Sequence, residues 1–197
     1  RLTRLLTAVA EDPSQPIGRI DILSAHERHQ LLQEWNPKAP PSEEATLPEM
    51  FEAQVLRTPN AVALVCEERS LTYGELNARA NQLAHALIAQ GVGPENIVAL
   101  ALPRSLEMVV ALLGILKAGA AYLPLDPNYP AERLAFMLQD ARPARLITSP
   151  ELDASFAGAV PRLLLSEPLD HFPCTNPTQH QRTSTLLPDH PAYIIYT

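Results

Sequence analysis

Apolar residues recur at helical spacing at the start of the chain, as Leu2, Leu5, Leu6 and Val9 within residues 1–10. That period predicts an amphipathic helix whose stripe needs a surface to lie on. Pro13 and Pro16 end it. Ser24-Ala-His-Glu27 has capping-box spacing, in which the serine hydroxyl and the glutamate carboxylate each accept a free helix-start amide. The helix it opens presents Leu31, Leu32 and Trp35, and Pro37, Pro40 and Pro41 break the pattern before a polar Ser-Glu-Glu-Ala. Residues 11–46 read as an ordered linker rather than a domain.

Thr46-Leu-Pro-Glu49 is a second capping box, before a helix carrying Met50, Phe51 and Val55 that Pro59-Asn60 ends. Ala61 to Cys66 is short, apolar and β-branched and predicts a buried strand, with Leu71-Thr-Tyr73 pairing back on it as a hairpin. Thr72-Tyr-Gly-Glu75 is a third box; its helix aligns Leu76, Ala80, Leu83 and Leu87 and stops at Gly91. Asn96 to Leu102 predicts another buried strand. Ser105 caps a helix whose Met108, Val109, Leu112, Leu113 and Leu116 are apolar nearly all round, and Gly119 ends it with positive φ. Ala121 to Leu125 is strand-like, with Pro124 marking an edge, a bend or a strand end. Pro130 suits the first turn of a helix bearing Leu134, Met137 and Leu138. Arg145–Thr148 and Arg162–Leu165 are short strands.

Strands alternating with helices predict an α/β fold with a mostly parallel sheet flanked by helices, preceded by a helical linker. Residues 166–191 differ. Pro168, Pro173, Pro177, Pro188 and Pro191 punctuate a polar stretch without periodicity, which reads as a loop or a mobile connection. Ala192-Tyr-Ile-Ile-Tyr-Thr197 has a strand pattern that stops without a polar exit and reads as a truncation.

Composition narrows the class. With 46% hydrophobic and 19% charged residues the chain matches an ordinary globular protein. A net charge of −7 argues against a nucleic-acid backbone as partner. Met108 to Leu116, the most apolar stretch, is far shorter than the roughly 18 residues of a membrane span and reads as a buried helix. No signal-peptide pattern is visible. Cys66 and Cys174 offer neither a disulfide framework nor zinc spacing. Cys66 reads as a buried thiol. This usage suits a reducing, cytoplasmic compartment.

The residues alone offer little chemistry. His26 and His29 flank Glu27 on one helix, but no further ligands accompany them, so they read as solvated side chains rather than a metal site. His85 reads as surface or packing, and His171, His180 and His190 are scattered through the proline-rich stretch. There is no nucleophile elbow and no complete Gly-rich phosphate loop. Asp126 follows a strand, where α/β sites often lie, yet Asp-Pro favours a turn-capping role.

Leu71-Thr-Tyr-Gly-Glu-Leu76 resembles the first core motif of nonribosomal peptide synthetase adenylation domains, and Leu116-Lys-Ala-Gly-Ala-Ala-Tyr-Leu-Pro-Leu-Asp126 resembles the second. The second match is long and ordered, and it is the specific one. Ala192–Thr197 resembles the opening of the third motif, whose family continuation, Ser-Gly-Ser/Thr-Thr-Gly-x-Pro-Lys-Gly, is absent. The resemblance implies the N-terminal portion of the large subdomain of an adenylate-forming enzyme over 47–197. It implies the last helix of a condensation domain over 1–10 and an interdomain linker over 11–46, where Pro16–Ser24 and Glu27 through Asn36 resemble that junction.

The resemblance also implies ATP and Mg2+ as cofactors of the complete domain, an amino-acid substrate, an upstream condensation domain and a downstream carrier bearing phosphopantetheine. Thr197 is the one residue it places near ATP, as a cofactor-binding candidate. It assigns no catalytic or metal-binding residue within the chain, and it leaves Tyr73, Glu75, Lys117, Gly119 and Asp126 structural roles. The 197 residues by themselves are expected to be inactive. Two alternatives stay open: an acyl- or aryl-CoA synthetase-like ligase, and a non-catalytic interdomain interaction module.

Overall fold

Three helix starts close the hydrogen bonds that their spacing requires. Glu27 N–H donates to Ser24 Oγ at 3.0 Å while Ser24 N–H donates to Glu27 Oε2 at 2.9 Å. Thr46 and Glu49 make the same reciprocal pair, as do Thr72 and Glu75. Each box satisfies two amides that have no intrahelical partner. The computed structural model describes residues 1–36, 45–153, 156, 160–165 and 169–197. Pro37, Pro40, Pro41, the Ser42–Glu44 part of the polar run and Pro168 therefore lie outside the described residues.

The chain divides into two compact units, Arg1–Glu43 and Glu44–Thr197. The first contains α1 (Leu2–Glu11), a 3-10 turn (Ile17–Arg19) and α2 (Ala25–His29), which runs on into a π-helical turn (Gln30–Glu34). Arg1 approaches Glu27 at 3.7 Å, and Arg4 Nε donates to the Asp21 carbonyl at 3.4 Å. Leu2, Leu6 and Val9 of the α1 stripe are exposed, as are Leu32 and Trp35.

The second unit begins with α3 (Leu47–Arg57) and an antiparallel hairpin of β1 (Val62–Cys66) and β2 (Arg69–Thr72). Here the expected buried strand is corrected. Val62 and Val65 are exposed, and Cys66 is only half-buried. A two-stranded ribbon has one face to pack: Ala63, Leu64 and Cys66 lie against Leu71, Leu76, Leu106 and Val110, and an irregularity in register between Val62 and Leu64 breaks strict alternation, leaving Val62 and Val65 to solvent.

The main sheet is parallel, with β4 (Ala121–Pro124), β3 (Ile97–Ala101), β5 (Arg145–Thr148) and β6 (Arg162–Leu164) side by side in that order. Along β3, Val98 and Leu100 face one core with α4 (Tyr73–Ala89) and α5 (Leu106–Ala118). Ala99 and Ala101 face a second core with Leu134, Met137 and Leu138 of α6 (Ala131–Ala141). The alternation of successive strand side chains thus puts helices on both faces, as the α/β pattern predicts. A short α7 (Pro150–Asp153) follows β5.

Smaller readings resolve locally. Ser105 Oγ accepts from Met108 N–H at 3.1 Å at the start of α5. Gly119 ends α5 with φ 99°. Pro130 stands at the N-cap of α6, one residue before the first turn, because the helix begins at Ala131. Pro124 is the last residue of β4, where a missing N–H costs the ladder little.

In the C-terminal third the loop reading agrees with the structure and the strand reading is corrected. Residues 169–191 have no regular secondary structure, yet they are not a free connection: Leu169 and Phe172 pack on the core of α4, α5 and β3, and Pro177 is buried. Residues 192–197 form no full strand. Tyr193 alone bridges to Tyr122 of β4, in parallel sense. Exposure still alternates from Ala192 to Thr197 as in a strand, with Ile194 and Tyr196 packed on the second core. The alternation is local, but a ladder requires a partner along the whole length, and β4 already ends at Pro124.

Candidate functional site

The polar residues of the second unit converge where the irregular segment 169–191, hereafter the strap, lies across α3, α4 and α5. The second core motif supplies the centre. Lys117 stands in the last turn of α5, and its side chain is fully buried. The Lys117 ammonium donates to Glu52 Oε1 of α3 and to Asn176 Oδ1 of the strap, the latter at 3.2 Å. It sits 5.8 Å from the centre of the Phe51 ring. Burial pulls the Lys117 ammonium below the usual lysine range; the Glu52 carboxylate opposes that shift, and the nearby Arg182 charge adds to it.

Helix α4 supplies the rest. Asn77 and Asn81 donate from Nδ2 to the same Asn176 Oδ1, at 3.0 and 2.9 Å. Asn81 also donates to the Cys174 carbonyl at 2.7 Å. His85 Nε2 lies 2.9 Å from the Thr175 carbonyl. A carbonyl only accepts, so Nε2 carries the hydrogen. Further along the strap, Arg182 Nε donates to the Lys117 carbonyl at 2.9 Å. Burial lowers the Arg182 pKa, with Glu52 and Glu49 opposing.

Beyond the strap the chain passes to Ala192–Thr197. Tyr122 N–H donates to the Ala192 carbonyl at 3.1 Å, and Ile194 N–H returns to the Tyr122 carbonyl at 3.0 Å. The Tyr122 and Tyr193 rings stack 5.7 Å apart. Tyr196 packs edge-on against Phe136 of α6 and hydrogen-bonds Asp140. Thr197 follows at once and is exposed.

The other residues singled out from sequence have structural surroundings. Tyr73 packs on Phe51 at 6.0 Å, and Glu75 closes its capping box. Asp126 Oδ1 accepts from Asn128 N–H and Nδ2 at 2.9 Å, a turn-closing arrangement. His29 lies 3.7 Å from Glu34 on the surface. Among the described residues no group of three His, Cys, Asp or Glu side chains is placed to hold a metal ion. No helix among them is long and apolar enough to cross a membrane.

A cavity of about 120 Å³ lies beside the strap, between Thr46 and Pro48 of α3, Gly119, Leu187 and Pro191. Thr197 does not line it. At the C-terminal end of β5, the buried Thr148 hydroxyl has no hydrogen-bond partner among the described residues. Glu52, Asn77, Asn81, Asn176 and Arg182 escape the sequence reading. A signal exists for part of the set: Asn77, Asn81 and His85 recur every four residues and so share one helix face.

The chain resembles known proteins along its whole length. The Dimodular nonribosomal peptide synthase of Bacillus subtilis (strain 168) is 48% identical over 204 residues, covering 100% of this chain. Tyrocidine synthase 2 of Brevibacillus parabrevis is 42% identical over 196 residues, covering 98%. The chain spans 9% and 5% of those relatives' own lengths. Among solved structures, the nonribosomal peptide synthetase FmoA3 bound to alpha-methyl-L-serine-AMP superposes with a TM-score of 0.80 at 30% identity, covering 100% of this chain and 22% of that one. The N-terminal subdomain of Klebsiella oxytoca NpsA superposes with a TM-score of 0.68 at 25% identity, over 79% of this chain and 39% of that one. The AMP-binding enzyme family matches residues 51–197, the span that holds the hairpin, the parallel sheet, the strap and Thr197, and the chain belongs to that family.

Proposed function

We propose that the chain is the N-terminal part of an amino-acid-activating adenylation domain of a nonribosomal peptide synthetase. The observation that carries this reading is the match of Leu116–Asp126 to the second core motif, set in a helix end, a left-handed glycine and a parallel strand. In the complete polypeptide, the carboxylate of an amino acid attacks the α-phosphate of ATP. Pyrophosphate leaves and an aminoacyl adenylate forms. The acyl group then passes to the phosphopantetheine thiol of a carrier domain. Residues 1–10 belong to the end of a condensation domain, 11–46 to a linker and 47–197 to the adenylation domain.

In this reading ATP and Mg2+ are bound by the complete domain and not by these residues alone. The reading is supported by the sequence, in which no complete glycine-rich phosphate loop occurs. Thr197 is the one candidate to face the phosphates, at the mouth of a loop made by residues that follow it. The work of residues 47–197 is to position that loop, and positioning is a large part of what such a site supplies. The test is amino-acid-dependent exchange of pyrophosphate into ATP. The complete polypeptide exchanges with one amino acid preferred, and the 197-residue chain alone does not. Activity with fatty or aryl acids instead of amino acids would favour a CoA-ligase-like enzyme.

A further inference from the structure

The segment that ends at Thr197 meets the edge of β4 through one bridge, two backbone hydrogen bonds and a ring stack, all at Tyr122, and meets the second core and α6 through Ile194 and Tyr196. These ties begin at Ala192, so the course by which the chain reaches them is set by what holds the chain before it. That chain is the strap, and the described polar ties between strap and helices gather on few residues. Asn176 Oδ1 accepts from Asn77, Asn81 and Lys117 together. Lys117 is tied to the strap twice, by its ammonium at Asn176 and by its carbonyl at Arg182.

A fully buried ammonium is costly unless paired, and packing alone at this site would be met by an apolar side chain of similar length. The lysine here bridges a helix carboxylate to a loop amide. It joins the Asn81 and His85 contacts with the Cys174 and Thr175 carbonyls in holding a proline-rich stretch that has no ladder of its own.

We propose that Lys117 is a positioning residue for nucleotide binding. Its buried ammonium, clamped by Glu52, holds Asn176 and thereby fixes the strap that delivers Tyr193–Thr197 to the edge of β4. The inference rests on the reading of Thr197 as the start of the phosphate loop. The link from Lys117 to the strap does not depend on that reading, and the test treats the two separately.

The test uses the complete polypeptide. Lys117→Met alone leaves the Glu52 carboxylate without its partner, and its failure to fold would not discriminate. The informative variants are the pair Glu52→Gln with Lys117→Met, which removes both charges, and Asn176→Ala, which leaves the Lys117–Glu52 pair intact. Amide hydrogen exchange across 169–197 is the first measurement. Both variants are expected to exchange this segment at least roughly tenfold faster, the equivalent of one charged hydrogen bond, while the β3 and β5 amides stay protected. Steady-state kinetics is the second. The KM for ATP rises on the order of tenfold with kcat nearly kept, whereas a merely destabilised enzyme loses active fraction and so loses kcat at unchanged KM. Wild-type exchange in both variants overturns the inference. Faster exchange with unchanged KM for ATP leaves the strap anchored by Lys117 but refutes its role in nucleotide positioning. A wild-type polypeptide without pyrophosphate exchange refutes the proposed activity, and hydrogen exchange still decides the anchoring.

Discussion

The Tyr196 hydroxyl donates to Asp140 Oδ2 at 2.5 Å, joining the residue before Thr197 to helix α6 across 56 positions of sequence. The hydrogen bond and the charge of Asp140 hold the Tyr196 phenol above its ordinary pKa of 10.0. A phenol that keeps its proton longer when folded adds stability below pH 10, which is lost as pH rises through the folded pKa. Absorbance titration of tyrosinate should show one tyrosine ionising late. Asp140→Asn should return it to the ordinary range, and Tyr196→Phe should remove it. A late phenol that persists in Asp140→Asn would deny the pair.

Gly114 lets α5 approach α4. A Cβ placed there meets Leu83 Cδ2 at 2.8 Å and Leu83 Cγ at 2.9 Å, and Leu83 is fully buried. Alanine favours a helix by about 1 kcal/mol over glycine. Overpacking of a tight core costs about 1–3 kcal/mol, so Gly114→Ala should destabilise on balance. Denaturant melts of the single variants and of Gly114→Ala with Leu83→Ala check this, since the pair should cost less than the sum of the two.

At Gly119 the obstacle is the backbone as well. Its φ is 99°, and a Cβ would lie 2.9 Å from Pro94 Cδ and Cγ. The left-handed conformation alone costs an L-residue roughly 1–2 kcal/mol. Gly119→Ala should therefore lower the melting temperature, and Gly119→Asn should lower it less if conformation dominates over contact with Pro94.

The capping boxes set an acid limit. Backbone and side-chain hydrogen bonds from Thr72 hold the Glu75 carboxyl below its ordinary 4.5. Such a depressed group stabilises the fold above pH 4.5, and that contribution is lost as pH falls through the lower folded value. Glu75→Gln keeps an acceptor without the charge. Its melting temperature should fall less steeply than that of the wild type as pH drops below 4.5; parallel curves would exclude this source.

Local physics was open to reading from the chain. Capping boxes at Ser24, Thr46 and Thr72 depend on residues three apart, and the helices they begin were found where expected. The turn at Asp126 and the left-handed Gly119 are local as well. The parallel strands came from short apolar runs between helices, whose alternation admits few topologies. The motif at Leu116–Asp126 pointed to the family because a long ordered match is specific.

Tertiary packing decided the rest. Ala61–Cys66 looks buried from its apolar run, but whether a strand has one packed face or two depends on its neighbours. The prolines of the strap forbid regular structure without saying whether the chain leaves the surface, and contacts with Asn81, His85 and Lys117 hold it there. Lys117 shows the limit most plainly. Its place in the motif was legible, but its burial was not, because the carboxylate and the amide oxygen that make burial tolerable come from Glu52 and Asn176, some sixty positions away on either side.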